Sequence, residues 1–95
     1  NNTATVTGND ITLNQNFPNP FNPSTSISFT LSSESPVKLS VYDIAGREVD
    51  VIINQNLQAG LHSYIWNAGN FSSGVYYFRL VSGDFSETKQ MNLVK

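Results

Sequence analysis

The stretch Ser26-Ile27-Ser28-Phe29-Thr30-Leu31 decides the fold. Ile27, Phe29 and Leu31 recur at every second position with small hydroxyl residues between them, so an extended chain here has one apolar face and one polar face. That is the pattern of a half-buried strand. Val37-Lys38-Leu39-Ser40-Val41-Tyr42 repeats it, and further strands are expected over Glu48 to Asn54, Leu61 to Asn67, Val75 to Ser82 and Phe85 to Val94, with a weaker one at Ile11 to Asn14. No stretch of helical period is long enough to compete.

Turn chemistry separates these runs. Asp43-Ile44-Ala45-Gly46 offers a side-chain acceptor first and a glycine last, which suits a type I turn closed by a left-handed residue. Gly83-Asp84 stands between two alternating runs as a short hairpin signal, and Gln58-Ala59-Gly60 and Ser72-Ser73-Gly74 mark two more reversals. Seven short strands at a spacing of roughly 8 to 12 residues predict an all-β sandwich or barrel. The long Pro-rich connection before Ser24 reads as a crossing between two sheets, which favours the sandwich. Residues 1–10 are polar and aperiodic and read as a linker to an upstream domain, with the folded module over 11–95.

The composition narrows the function. With 39% hydrophobic and 13% charged residues in a chain of 95, it describes a single folded domain with a neutral, polar surface. A net charge of -2 and the lack of any Lys/Arg run argue against nucleic acid as a partner. The chain has no cysteine, hence no disulfide, thiolate nucleophile or zinc-thiolate site. Its apolar runs are far shorter than the roughly 20 residues that cross a bilayer, so no membrane insertion is expected. Asn1 to Thr5 lacks the regions of a signal peptide, and an exported protein would carry that signal upstream.

The titratable residues give little to catalysis. The seven carboxylates fall mostly in turns or at strand ends without a recognisable spacing, and the lone histidine, His62, rules out a multi-histidine metal site. Asp43 and Asp84 lie in loops but not in a calcium-loop sequence. No enzyme, metal or cofactor is expected. Strand parity places His62 with Tyr64 and Trp66, at a packed or rim position, and Trp66 itself between the sheets with Phe29, Leu39, Val41 and Phe78 as core. A sugar-stacking row of Trp66, Tyr64, Tyr76, Tyr77 and Phe78 is the competing reading.

Pro18-Asn19-Pro20-Phe21-Asn22-Pro23 is the most unusual segment. Proline lacks an amide donor and holds its predecessor extended, so this stretch forms an extended loop and not a central strand. Phe17 and Phe21 flank the prolines at a spacing that lets both bury. Two readings stand: a purely structural crossover, or a loop that a partner also reads. In the last strand, Met91 and Leu93 fall on one face, with the Lys89 and Lys95 ammonium groups in water.

The run from Leu13 through Pro18-Asn19-Pro20-Phe21-Asn22-Pro23 to Thr25 resembles the opening of the type A C-terminal sorting domains of the type IX secretion system. So do Val41 to Val49, Ala59 to Trp66, Ser73-Gly74-Val75-Tyr76-Tyr77-Phe78-Arg79-Leu80, and the basic and apolar tail Lys89 to Lys95, in which Asn92 is polar where the family is usually apolar. The resemblance implies a seven-stranded, antiparallel, Greek-key β-sandwich of immunoglobulin-like type. The immunoglobulin-like domain of flagellar hook-capping proteins shares the fold and motifs, and a chain end at Lys95 directly after the tail is the expectation that separates the two.

The resemblance also implies a secreted or cell-surface protein of the Bacteroidota or a related phylum. An upstream cargo would cross the periplasm and be recognised by the outer-membrane translocon and its shuttle protein. A surface peptidase of sortase-like function would then remove the domain. The recognition residues carried over are Pro18, Asn19, Pro20, Phe21, Gly74, Tyr76, Lys89, Met91, Leu93 and Lys95. The alternative is a carbohydrate-binding or adhesive immunoglobulin-like module of a secreted enzyme, which an exposed aromatic row would mark.

Overall fold

A computed structural model describes residues 10–95. Seven strands follow the alternating runs: β1 (Ile11–Leu13), β2 (Ser24–Leu31), β3 (Ser35–Tyr42), β4 (Glu48–Leu57), β5 (Gly60–Asn67), β6 (Gly74–Ser82) and β7 (Phe85–Leu93). They form two antiparallel sheets of order β1-β2-β5 and β4-β3-β6-β7. Pairing of β2 with β5 and of β3 with β6, each three strands on, is the Greek-key signature of an immunoglobulin-like sandwich. The stretch proposed as a linker lies outside the described residues except for Asp10, whose backbone exchanges hydrogen bonds with Ser32.

The two turns act as their residues dictate. In the β3–β4 turn the Gly46 amide donates to the Asp43 carbonyl at 2.9 Å, and Gly46 takes a φ of 86°, which only glycine adopts without strain. Gly83 does the same at 58° in the two-residue β6–β7 turn. In β3·β4 the register shifts twice, leaving Val49 and Ile52 without opposite partners.

The core lies between the sheets. Ile27, Phe29 and Leu31 face Leu39, Val41, Phe78 and Leu80, all buried. Each such side chain contributes about 1.5–3 kcal/mol through the apolar surface it removes from water. Trp66 is 3% exposed, and its indole N–H reaches across to β4, donating to Asp50 Oδ2 at 2.8 Å.

Two expectations are corrected. The Pro-rich segment is not a crossing between sheets, because β1 and β2, which it joins, are neighbours in one sheet. The crossings are the shorter links 32–34, 58–59 and 68–73. Phe17 does not bury: it is 78% exposed. Its backbone bridges Ser26, which puts its side chain on the outer face, and the inward position goes to Asn16.

Candidate functional site

Between β1 and β2 the Pro-rich loop turns away from its own sheet and lies along the far edge of the other. The Phe21 amide donates to the Asn92 carbonyl at 3.0 Å, and the Val94 amide to the Phe21 carbonyl at 2.9 Å, forming a parallel bridge with the end of β7. The Asn92 amide donates to Asn19 Oδ1, and the Gln15 side chain to the Gln90 carbonyl. A loop poor in amide donors thus covers a strand edge whose backbone groups would otherwise be unpaired.

Two sets of side chains hold it there. Phe21 packs at 5.9 Å from Trp66, which also meets Phe71 at 5.3 Å and Tyr76 at 5.9 Å, so four aromatics from two loops and two strands close this end of the core. Beside them Asn16, 2% exposed, donates to the Pro18 carbonyl and to Thr25 Oγ1, and the Thr25 hydroxyl donates to the same carbonyl at 2.8 Å. A buried amide that lost these partners would be destabilising, so the pair fixes the loop's path.

The start of β6 and the last residues join the same end. Gly74 pairs with Leu93 and Tyr76 with Met91. The Lys95 amide donates to Ser73 Oγ, and its ammonium donates to the Gly69 carbonyl at 2.7 Å. The Tyr76 hydroxyl donates to the Ser72 carbonyl at 2.8 Å. Next to them an open groove of about 600 Å³ is lined by Asp43, Ile44, Arg47, Phe71, Gly74 and Tyr76. Backbone and side-chain hydrogen bonds from Arg47 hold the Asp43 carboxyl below its ordinary range, with a further bond from the Ala45 amide.

The ten residues offered for recognition therefore separate. Phe21, Tyr76, Met91 and Leu93 are buried and shape this end from inside, while Pro18, Asn19, Pro20, Gly74 and Lys95 are exposed on it. Lys89 stands apart: it lies opposite Phe78, on the face it shares with Met91, and its ammonium sits 3.2 Å from Glu87. Each lysine ammonium has a partner at the surface, Glu87 for Lys89 and the Gly69 carbonyl for Lys95. Asn92 turns its side chain to the opposite face from Met91 and Leu93, so a polar residue fits there.

Sequence reasoning missed Asn16, Thr25 and Phe71. A buried Asn-Thr pair looks like loop polarity in a sequence, and its one signal was position beside a cluster of prolines. His62 is half-buried, its ring 5.6 Å from that of Phe29. Among the described residues no group of acidic and histidine side chains is placed to hold a metal ion, and three members of the competing aromatic row, Trp66, Tyr76 and Phe78, are buried. No helix is long and apolar enough to cross a membrane. In comparison with known proteins, no curated sequence gives a significant match. The profile of the secretion system C-terminal sorting domain matches residues 15–94, which includes every residue that builds the end described above except Lys95.

Proposed function

Because this chain belongs to the secretion system C-terminal sorting domain family, the address label of type IX secretion, we propose that the machinery reads it at the end where the proline loop, the start of β6 and the final residues meet. The family is a sorting signal and not a catalyst, and a protein that carries it is secreted or on the cell surface. Its setting, the outer membrane of Bacteroidota, agrees with that membership.

The observation that supports the reading is convergence. Segments some 75 residues apart in sequence are tied by hydrogen bonds into one surface, as in Gln15 to Gln90 and Asn19 to Asn92. Pro18, Asn19, Pro20, Gly74 and Lys95 present it, and Phe21, Tyr76, Met91 and Leu93 hold it from behind. The direct readers are the translocon and its shuttle protein, met after the cargo has crossed the periplasm. A sortase-like surface peptidase then separates domain from cargo.

The test is sufficiency. The 95-residue chain is fused behind a signal peptide and a fluorescent protein and expressed in a host with a working type IX apparatus and in a strain lacking the translocon. Export in the first strain alone is the expected result, and export in both or in neither overturns the reading. Deleting Met91 to Lys95 is a poor substitute for this test, because it removes two core side chains along with any contact surface.

A further inference from the structure

The opposite flank of the sandwich carries a surface that the sorting role does not use. Among the described residues, strand β5 ends its sheet and is paired on one side only. Ser26 exchanges backbone hydrogen bonds with Phe17, and the Asn14 amide donates to the Ser28 carbonyl, so these residues of β2 turn their backbone groups away from β5. Antiparallel pairing alternates, so the pairs bonded across β2·β5 are Thr25 with Trp66, Ile27 with Tyr64 and Phe29 with His62. The N–H and C=O groups of Leu61, Ser63 and Ile65 therefore point out of the free edge.

The same three residues carry the outer face of the strand. Leu61 is 69% and Ile65 75% exposed, and their β2 neighbours, Thr30 and Ser26, are too small to cover them. Nothing in the strand deters pairing. It contains no Lys, Arg, Asp, Glu or Pro and keeps an unbroken register. By contrast β4, the other long edge, carries Glu48 and Asp50 and two register shifts, and the β7 edge lies under the proline loop.

We propose that β5 is a self-association edge, at which two copies of this chain pair antiparallel about a two-fold axis through Ser63. The sequence of the strand is self-complementary in that register. Leu61 of one copy meets Ile65 of the other, Ser63 meets Ser63, and each copy's exposed apolar residues cover those of its mate. Both copies are net negative, yet the strands that meet are uncharged, so the contact brings no like charges together. A contact limited to one eight-residue edge belongs to the small class of interfaces, so the dimer is weak and reversible. This assignment goes beyond the sorting reading and does not depend on it.

Sedimentation equilibrium of the 95-residue chain up to about 1 mM, where interfaces of this small class register, tests it. A reversible monomer–dimer equilibrium is expected, with the dissociation constant raised at least about tenfold by Leu61→Lys with Ile65→Lys, which sets like charges opposite one another. The chain has no cysteine, so a Ser63→Cys variant should link to a second copy under mild oxidation, while Ser28→Cys on the neighbouring strand should not. A monomer at every concentration, a dimer indifferent to the two lysines, or equal cross-linking of both cysteine variants overturns the proposal. The cysteine pair keeps the test decisive even if the lysine variant fails to fold.

Discussion

The outer edges of β7 and β5 face the same problem and are treated in opposite ways. Along β7 the backbone groups of Gln90, Asn92 and Val94 are taken up by Gln15, Asn19 and Phe21. Along β5 the groups of Leu61, Ser63 and Ile65 stand open among the described residues, beside two bare apolar side chains. Covering the first edge requires Phe21 in the aromatic cluster and the Asn16–Thr25 clamp on Pro18. Nothing comparable is built at the second. The covered edge has become part of a defined surface with one shape, whereas the open edge is defined only by the next strand it meets.

The largest blow to that difference comes from Trp66. Trp66→Ala removes the hub that Phe21, Phe71 and Tyr76 share, together with the hydrogen bond to Asp50. A loss of about 3–5 kcal/mol is expected in chemical denaturation, a large fraction of the stability of a domain this size. Asn16→Ala is expected to lower stability by about 1–3 kcal/mol, because Thr25 loses a buried partner and the loop its clamp. The amides of Phe21 and Val94 should lose hydrogen-exchange protection in that variant while those of β3 keep theirs.

Asp43 gives a smaller effect with a definite sign. Its folded carboxyl titrates below its ordinary value near 3.8, chiefly because the Arg47 amide donates to the ionised form. The folded state therefore takes up this proton less readily than the unfolded chain. The stability gained is present above that ordinary value and is lost as pH falls through the folded one. Thermal melts of wild type and Asp43→Asn should differ at pH 6 and converge in strong acid. A difference independent of pH would contradict the assignment.

Much of the fold was legible because strand alternation is local. Ile27, Phe29 and Leu31 announce their face within six residues, and the glycines at 46 and 83 announce their turns. The logic failed at Phe17, where the chain leaves regular pairing with β2 and Asn16 takes the inward position. For the site, the sequence offered the segments but not their meeting, since the contacts that join residues 15–21 to 90–95 are non-local. Nor does a list of residues tell an exposed Pro20 from a buried Phe21 beside it. The ion pair of Lys89 was not legible either: parity puts it on Met91's face, where Glu87 is its neighbour.

Export of a fused reporter by two matched variants tests most directly whether the machinery reads the covered end. One variant carries Pro20→Glu with Lys95→Glu, both on exposed residues of that end. The other carries Leu61→Ser with Ile65→Ser on the open edge, where surface changes alter stability by no more than about 0.5 kcal/mol. Denaturation midpoints establish that both are folded. The account predicts that the first variant accumulates inside cells that possess the translocon, while the second is exported like wild type. Normal export of the first, or loss of export in the second alone, would contradict it.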